Sequence, residues 1–256
     1  MCTAITFQSM QKENFFGRTM DFSHPIEPGV FVIPKDYEWY SLASCSCVAD
    51  LKSLLKNVTI VGILDPVTKT AAPLHWIATD RSGKSVVIEQ TKNGLEVIDN
   101  PIGVMANSPD LRWHITNLRN YMNISTTQQN EVHWGNLSLT PFGQGSGTMA
   151  LPGGFTSPER FVRAAFFKTH VPVPKNSYET LITCFHIMNS LFIPKGIVLT
   201  DKGSYDYTKY VAFMNTNTCE YYFKTYNNNQ ILRACLWDHY DKGSKPIFLG
   251  SIASSI

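Results

Sequence analysis

Residues 2–22 constrain the fold most tightly, because they read as a β-hairpin that carries chemistry. Residues 2–8 set β-branched and aromatic side chains at alternate positions, the pattern of a half-buried strand. Residues 9–14 are polar and turn-like, and residues 15–22 form a second strand holding Arg18 and Asp21. Folding back about Gln11–Lys12 pairs positions that sum to about 23, by the register logic of hairpins. Cys2 then lies opposite Asp21, with Arg18 nearby.

Cys2 directly follows Met1. Aminopeptidases remove Met before a small residue, so the mature chain is expected to begin with a free cysteine. Thiol and α-amine then share one Cα, with ordinary pKa values near ~8.5 and ~8. A nucleophile carrying its own base is an activated arrangement. Asp21 would hold the ammonium form, and a guanidinium beside the thiol would favour thiolate. The same residues also suit a surface Arg18–Asp21 ion pair beside a buried edge cysteine, and the hairpin pattern leaves both readings open.

Composition narrows the classes. The chain has 256 residues and is 43% hydrophobic, enough for one sizeable core and a single domain over residues 1–256. Net charge is +2, from 22 basic and 20 acidic residues, with no basic run, so neither nucleic acid nor an anionic membrane is expected as a partner. No apolar stretch reaches the roughly 18 residues of a membrane span. No basic segment followed by an apolar one marks a signal peptide. Of six cysteines, Cys45 and Cys47 lack the second Cys/His pair of a structural zinc site, and no metal is expected. Cys184 and Cys235 sit in apolar runs as small buried hydrophobes, a pattern that suits a reducing cytoplasm.

The pattern predicts a helix over 49–56 and strands over 59–64, 74–79, 85–90, 95–98 and 102–105. Ser108-Pro109 reads as a cap followed by proline, opening a helix to about residue 121. Ser157-Pro158 repeats the device for a helix to residue 169, with Phe161, Ala164, Ala165 and Phe166 on its apolar stripe. A third helix is expected over 178–191, then strands over 205–214, 221–226 and 231–237. Runs of strands alternating with helices argue α+β layers.

Asn107 ends an apolar strand just before a helix start. Its carboxamide offers two donors and, placed near Cys2, could stabilise an oxyanion; it could equally end the strand or help cap the helix. Arg160 and Arg163 share a helical face. The glycine-rich segment 142–147 lacks the Gly-Lys-Ser/Thr ending of a phosphate loop and reads as a flexible loop. His75, His114 and His186 show no paired metal spacing and read as structural.

Several blocks carry a family likeness: Cys2 with Gly17-Arg18-Thr19-Met20-Asp21-Phe22, Pro73-Leu74-His75-Trp76, and Gly103-Val104-Met105-Ala106-Asn107-Ser108-Pro109. Leu151-Pro152-Gly153-Gly154, Ser157-Pro158-Glu159-Arg160-Phe161 and Tyr221-Tyr222-Phe223-Lys224-Thr225-Tyr226 continue it in order. The chain resembles the choloylglycine hydrolases, which comprise conjugated bile acid hydrolases and penicillin V acylases among the N-terminal-nucleophile hydrolases. The resemblance implies a four-layer αββα sandwich with Cys2 at the edge between the sheets. It implies Cys2 as nucleophile, Asp21 orienting its amine, Asn107 as oxyanion donor, and Arg18 and Arg160 biasing the local charge. Arg163 is left to structure. It further implies a small-molecule amide substrate, a homotetramer and no cofactor.

One departure accompanies the likeness. The blocks ending at Ala43 and starting at Ser44 abut, where the family has several dozen residues supplying core strands, a helix and a polar site residue. Two readings follow: a cysteine-nucleophile amidohydrolase, or an impaired remnant that at most binds ligand.

Overall fold

The computed structural model describes residues 2–24, 26, 29–33, 45–64, 71, 74–239 and 245–251. The Ala43–Ser44 junction lies outside them.

The N-terminal hairpin pairs β1 (Ala4–Gln8) with β2 (Asn14–Phe22). Ala4 faces Arg18 and Gln8 faces Asn14, one position off the expected register. The turn explains the slip. Ser9 N donates to Glu13 O across a three-residue loop, and Lys12 takes the left-handed region at φ 63°. Side chains alternate along a strand, so one position reverses which face each presents. Cys2 therefore extends toward Met20, with Sγ 3.9 Å from Met20 Sδ, and Asp21 turns to the other face of the sheet.

The hairpin sits inside a seven-stranded sheet. β1 also pairs with β7 (Val104–Met105), and β2 with the long β11 (Tyr205–Asn215). Beyond β11 lie β12 (Glu220–Thr225) and β13 (Leu232–Cys235), while β10 (Val198–Leu199) pairs with the start of β11. A ribbon of β3 (Gly29–Val32) and β14 (Ile247–Ser251) stands apart, as do β4 (His75–Thr79), β5 (Ser85–Thr91) and β6 (Gly94–Asp99) in one sheet. A hairpin of β8 (Val132–Trp134) and β9 (Leu137–Leu139) completes the strands described.

Among the described residues, four α-helices accompany them. These are α1 (Val48–Leu55), α2 (Leu111–Asn117), α3 (Ser157–His170) and α4 (Ser177–Asn189). On one face of the large sheet, Ile5, Phe15, Val211 and Phe213 pack with Phe161 and Ala164 of α3 and Leu181, Cys184 and Phe185 of α4. Val87 of β5 joins this core, while its neighbours Val86 and Ile88 point the other way onto Val48, Leu51 and Leu55 of α1. On the opposite face of the large sheet, Ala212 and Phe223 meet Val30 of the ribbon. The architecture is α+β, with helices outside packed sheets, as the alternation of elements predicts.

Several boundaries move. Residues 59–64 form no strand: Val61 and Ile63 are 68% and 79% exposed, and among the described residues no cross-strand partner supports their β-branched side chains. The cap of α2 is Asp110, whose side chain accepts from Trp113 N at 2.8 Å, so Ser108-Pro109 precedes the helix rather than opening it. Thr156 caps α3 in a reciprocal box with Glu159, and Asn176 caps α4.

Candidate active site

Cys2 stands at the start of the hairpin, half-buried. Arg18 shares its sheet face: Nη2 donates to Cys2 Sγ at 2.9 Å and lies 2.7 Å from Met20 Sδ, while Nε donates to Thr19 O at 3.2 Å. Ala212 pairs with Arg18, and Tyr210 with Met20. Tyr210 therefore lines the same face, and burial pushes its phenol up, with Arg18 opposing.

Asn107 enters from the end of β7. Its Oδ1 accepts from Cys2 N at 2.8 Å and from Arg160 Nη2 at 2.9 Å. Removal of Met1 would turn that same Cys2 nitrogen into the α-amine. An amide oxygen facing two donors fixes the flip of the carboxamide, which leaves its NH2 on the other side.

Arg160 rises from the first turn of α3, a helix held by its Thr156–Glu159 cap. It is fully buried. Besides Asn107, it donates from Nε to Phe155 O at 3.0 Å, and from Nη1 to Cys2 O at 3.0 Å and to Thr3 Oγ1. Asp21 Oδ2 lies 3.8 Å from Nη1. Burial pulls the guanidinium below its ordinary value, and Asp21 opposes that.

Asp21 belongs to the Arg160 face, away from the thiol. It accepts from Thr19 Oγ1 at 2.9 Å and Thr208 Oγ1 at 2.6 Å. Burial raises its carboxyl, while Thr208, Arg160 and Thr19 act to lower it. Five sequence-nominated residues thus converge, but the sheet divides them: Cys2 and Arg18 share one face, Asp21 and Arg160 the other. Arg163 stays outside, donating to Pro152 O at 2.8 Å, Ser190 O at 3.2 Å and Gly154 O, which anchors the loop before α3.

Sequence reasoning missed Thr3, Thr19, Met20 and Thr208 around this cluster. Their alternation with Arg18 and Asp21 on paired strands was the available signal. Cys45 and Cys47 lie apart, at the start of α1. There Asp50 Oδ2 accepts from Ser46 N at 2.9 Å and Cys47 N at 3.2 Å.

Comparison with known proteins gives the chain's relatives. The profile of linear amide C–N hydrolases, choloylglycine hydrolase family, matches residues 2–43 and 39–241. The two stretches meet where the sequence blocks abut. The chain is 41% identical over 192 residues to a bile salt hydrolase/transferase of Clostridium perfringens, covering 74% of this chain and 58% of that protein. It is 34% identical over 193 residues to a conjugated bile acid hydrolase of Lactobacillus acidophilus, covering 75% and 61%. The chain thus spans about three fifths of the length of these relatives. A cysteine-to-alanine mutant of conjugated bile acid hydrolase from Clostridium perfringens superposes with a TM-score of 0.84 at 28% identity, covering 98% of this chain and 97% of that one. Penicillin V acylase from Agrobacterium tumefaciens shares the fold, with a TM-score of 0.76 at 18% identity, covering 98% of this chain and 92% of that one. The chain belongs to the choloylglycine hydrolase family of linear amide C–N hydrolases.

Proposed function

We propose that the chain hydrolyses a linear amide through a thioester on Cys2. The observation that carries this reading is the pairing at one residue of Arg18 on Cys2 Sγ and Asn107 on Cys2 N. The thiol proton passes to the α-amine freed by loss of Met1, and the sulfur attacks the substrate carbonyl carbon. The Asn107 NH2 and a backbone N–H hold the oxyanion. The ammonium returns its proton to the departing nitrogen as the C–N bond breaks. Water then adds to the thioester with the amine as base, releasing a carboxylic acid and the free thiol. Arg18 keeps positive charge at the sulfur. Arg160 holds Cys2 O and Asn107 together, and Asp21 acts on the α-amine's surroundings from the far side of the sheet. No step draws on a metal or organic cofactor.

The substrate class pairs an apolar acyl part with a polar amine: a conjugated bile acid, penicillin V or an acyl-homoserine lactone. The names of the relatives favour the first. We further propose a cytoplasmic homo-oligomer, a tetramer by family resemblance, for which the exposed Val132, Trp134 and Leu137 of the β8–β9 hairpin supply apolar surface. Light scattering after gel filtration tests that assembly.

A second reading, an impaired remnant that at most binds ligand, draws on the three-fifths span of the relatives. Thermal melting with turnover on a panel of the three amides separates the two. A cooperative melt with turnover supports the hydrolase. A melt without turnover supports the remnant.

A further inference from the structure

We propose that His114 is a positioning residue for Asn107, acting with Ser157. This rests on the hydrolase reading only where turnover is the readout. The peptide oxygen of Asn107 receives two donors from two helices. His114 Nε2 of α2 lies 2.8 Å away, and Ser157 Oγ of α3 donates at 2.7 Å. A carbonyl can only accept, so the ring proton must sit on Nε2.

The rest of the pocket holds His114 in that state. The residue is 1% exposed, and its ring stacks on Phe161 at 4.5 Å and 12°. Nδ1 is buried with no hydrogen-bond partner among the described residues. A second proton there would be an unpaired buried donor, which is costly. The charged groups facing the ring are Glu89 of β5, Asp110 of the α2 cap and Arg160 of α3. Burial outweighs the carboxylates and pulls the imidazole below its ordinary value, and Arg160 adds to that pull.

The consequence is geometric. Asn107 lies next to a Ser108–Pro109 turn, where a peptide group without donors on its oxygen could rotate. Two donors hold that oxygen, and Arg160 and Cys2 N hold the side-chain oxygen. With both oxygens fixed, the carboxamide NH2 has one direction left. His114 thus acts on the oxyanion donor without touching substrate. No pattern in the sequence signals it, because the histidine serves a backbone atom seven residues upstream.

The test uses the full chain with Met1 removed. His114→Phe keeps the stacking plane and deletes the donor; His114→Gln restores a donor at similar reach. Loss of one neutral hydrogen bond at this point should lower kcat about fivefold to tenfold with KM within about twofold. His114→Gln should regain most of that loss. Nitrogen-15 NMR of the histidine ring should show the neutral Nε2–H tautomer from pH 8 down through the ordinary imidazole value. Full turnover in a folded His114→Phe overturns the proposal. So does an Nδ1–H tautomer, or a ring that protonates at the ordinary value. If the unaltered chain turns over nothing, the hydrolase reading fails instead. The proposal is then decided by the ring tautomer and by the Asn107 side-chain amide resonance, which His114→Phe should shift and His114→Gln largely restore. If His114→Phe does not fold, the tautomer in the unaltered chain and the same resonance in Ser157→Ala decide it.

Discussion

Arg160 gathers more of the site than any neighbour. One buried guanidinium serves the carbonyls of Phe155 and Cys2, the hydroxyl of Thr3 and the carboxamide of Asn107. A lysine offers three donors from a single point and cannot span those four acceptors. Arg160→Lys should therefore cost about 3 kcal/mol, as breaking a buried charged network does. The melting temperature would fall by several degrees, and turnover would fall with it. An unchanged melt would mean that the network adds little. At Cys2, intact mass spectrometry of soluble protein should show loss of Met1 and nothing more, since an acylated nitrogen cannot serve as base. Cys2→Ser should remove most turnover while Cys45→Ser and Cys47→Ser leave it. Equal losses in all three folded variants would point away from a single thiol.

Among the elements, the β2–β11 pairing is what presents Arg18, and Gly17 is what lets it form. A Cβ at Gly17 would collide with the Phe213 ring and the Ala212 carbonyl on the facing strand. Gly17→Ala must push β2 off β11, an overpacking that costs about 1–3 kcal/mol. It should also weaken the Arg18–Cys2 contact, so activity would drop further than the melt alone explains. Helix α3 depends likewise on its cap. Thr156→Ala should cost about 1 kcal/mol, and because Arg160 and Ser157 sit in that first turn, the loss should reach the site. These elements were largely legible. Alternation marked β2 and β11, and Ser157-Pro158-Glu159 marked the start of α3 to within a residue. Residues 59–64 misled because β-branched alternation speaks of a pleated surface, not of a partner to supply one.

For the whole molecule, acid should be destabilising, and the sign follows from its titrating groups. His114 is depressed in the folded state, so below about pH 6.5 the unfolded chain binds more protons and stability falls. Asp50, Asp80, Glu159 and Glu220, each held low by hydrogen bonds, add a further loss as pH falls below about 4. Asp21, raised by burial, works the other way: its contribution is present at low pH and lost as pH rises through its folded value. Melting scans from pH 7 to 5 should thus show a decline that His114→Gln flattens, and an equal slope in both would remove His114 as the cause. The junction at Ala43–Ser44 bears on the catalytic side. On the proposed mechanism, a family-like segment inserted there should add a polar group facing the scissile amide, a contact of a kind worth about 2.7–4 kcal/mol. Turnover per folded molecule should rise on the amide panel and discrimination between acyl groups should sharpen. Equal turnover in both chains would make the segment dispensable.

Asn107 and Arg160 were singled out through the family resemblance, while local chemistry in the sequence was enough to raise Cys2, Arg18 and Asp21 and to set the α+β order of strands and helices. Such features are short in range: alternation, caps and a cysteine behind Met1 are all read within a few residues. What only the tertiary structure decided is how those residues meet. A loop of three residues in place of an even one carried Asp21 through the sheet, away from the thiol, because strand faces alternate with every position. Asn107 reaches Cys2 across 105 positions and Arg160 reaches it across 158. His114 and Ser157 meet on one carbonyl from separate helices. Contacts at such separations leave no periodic trace along the chain, since the hydrogen bond depends on where two elements pack and not on what lies between them.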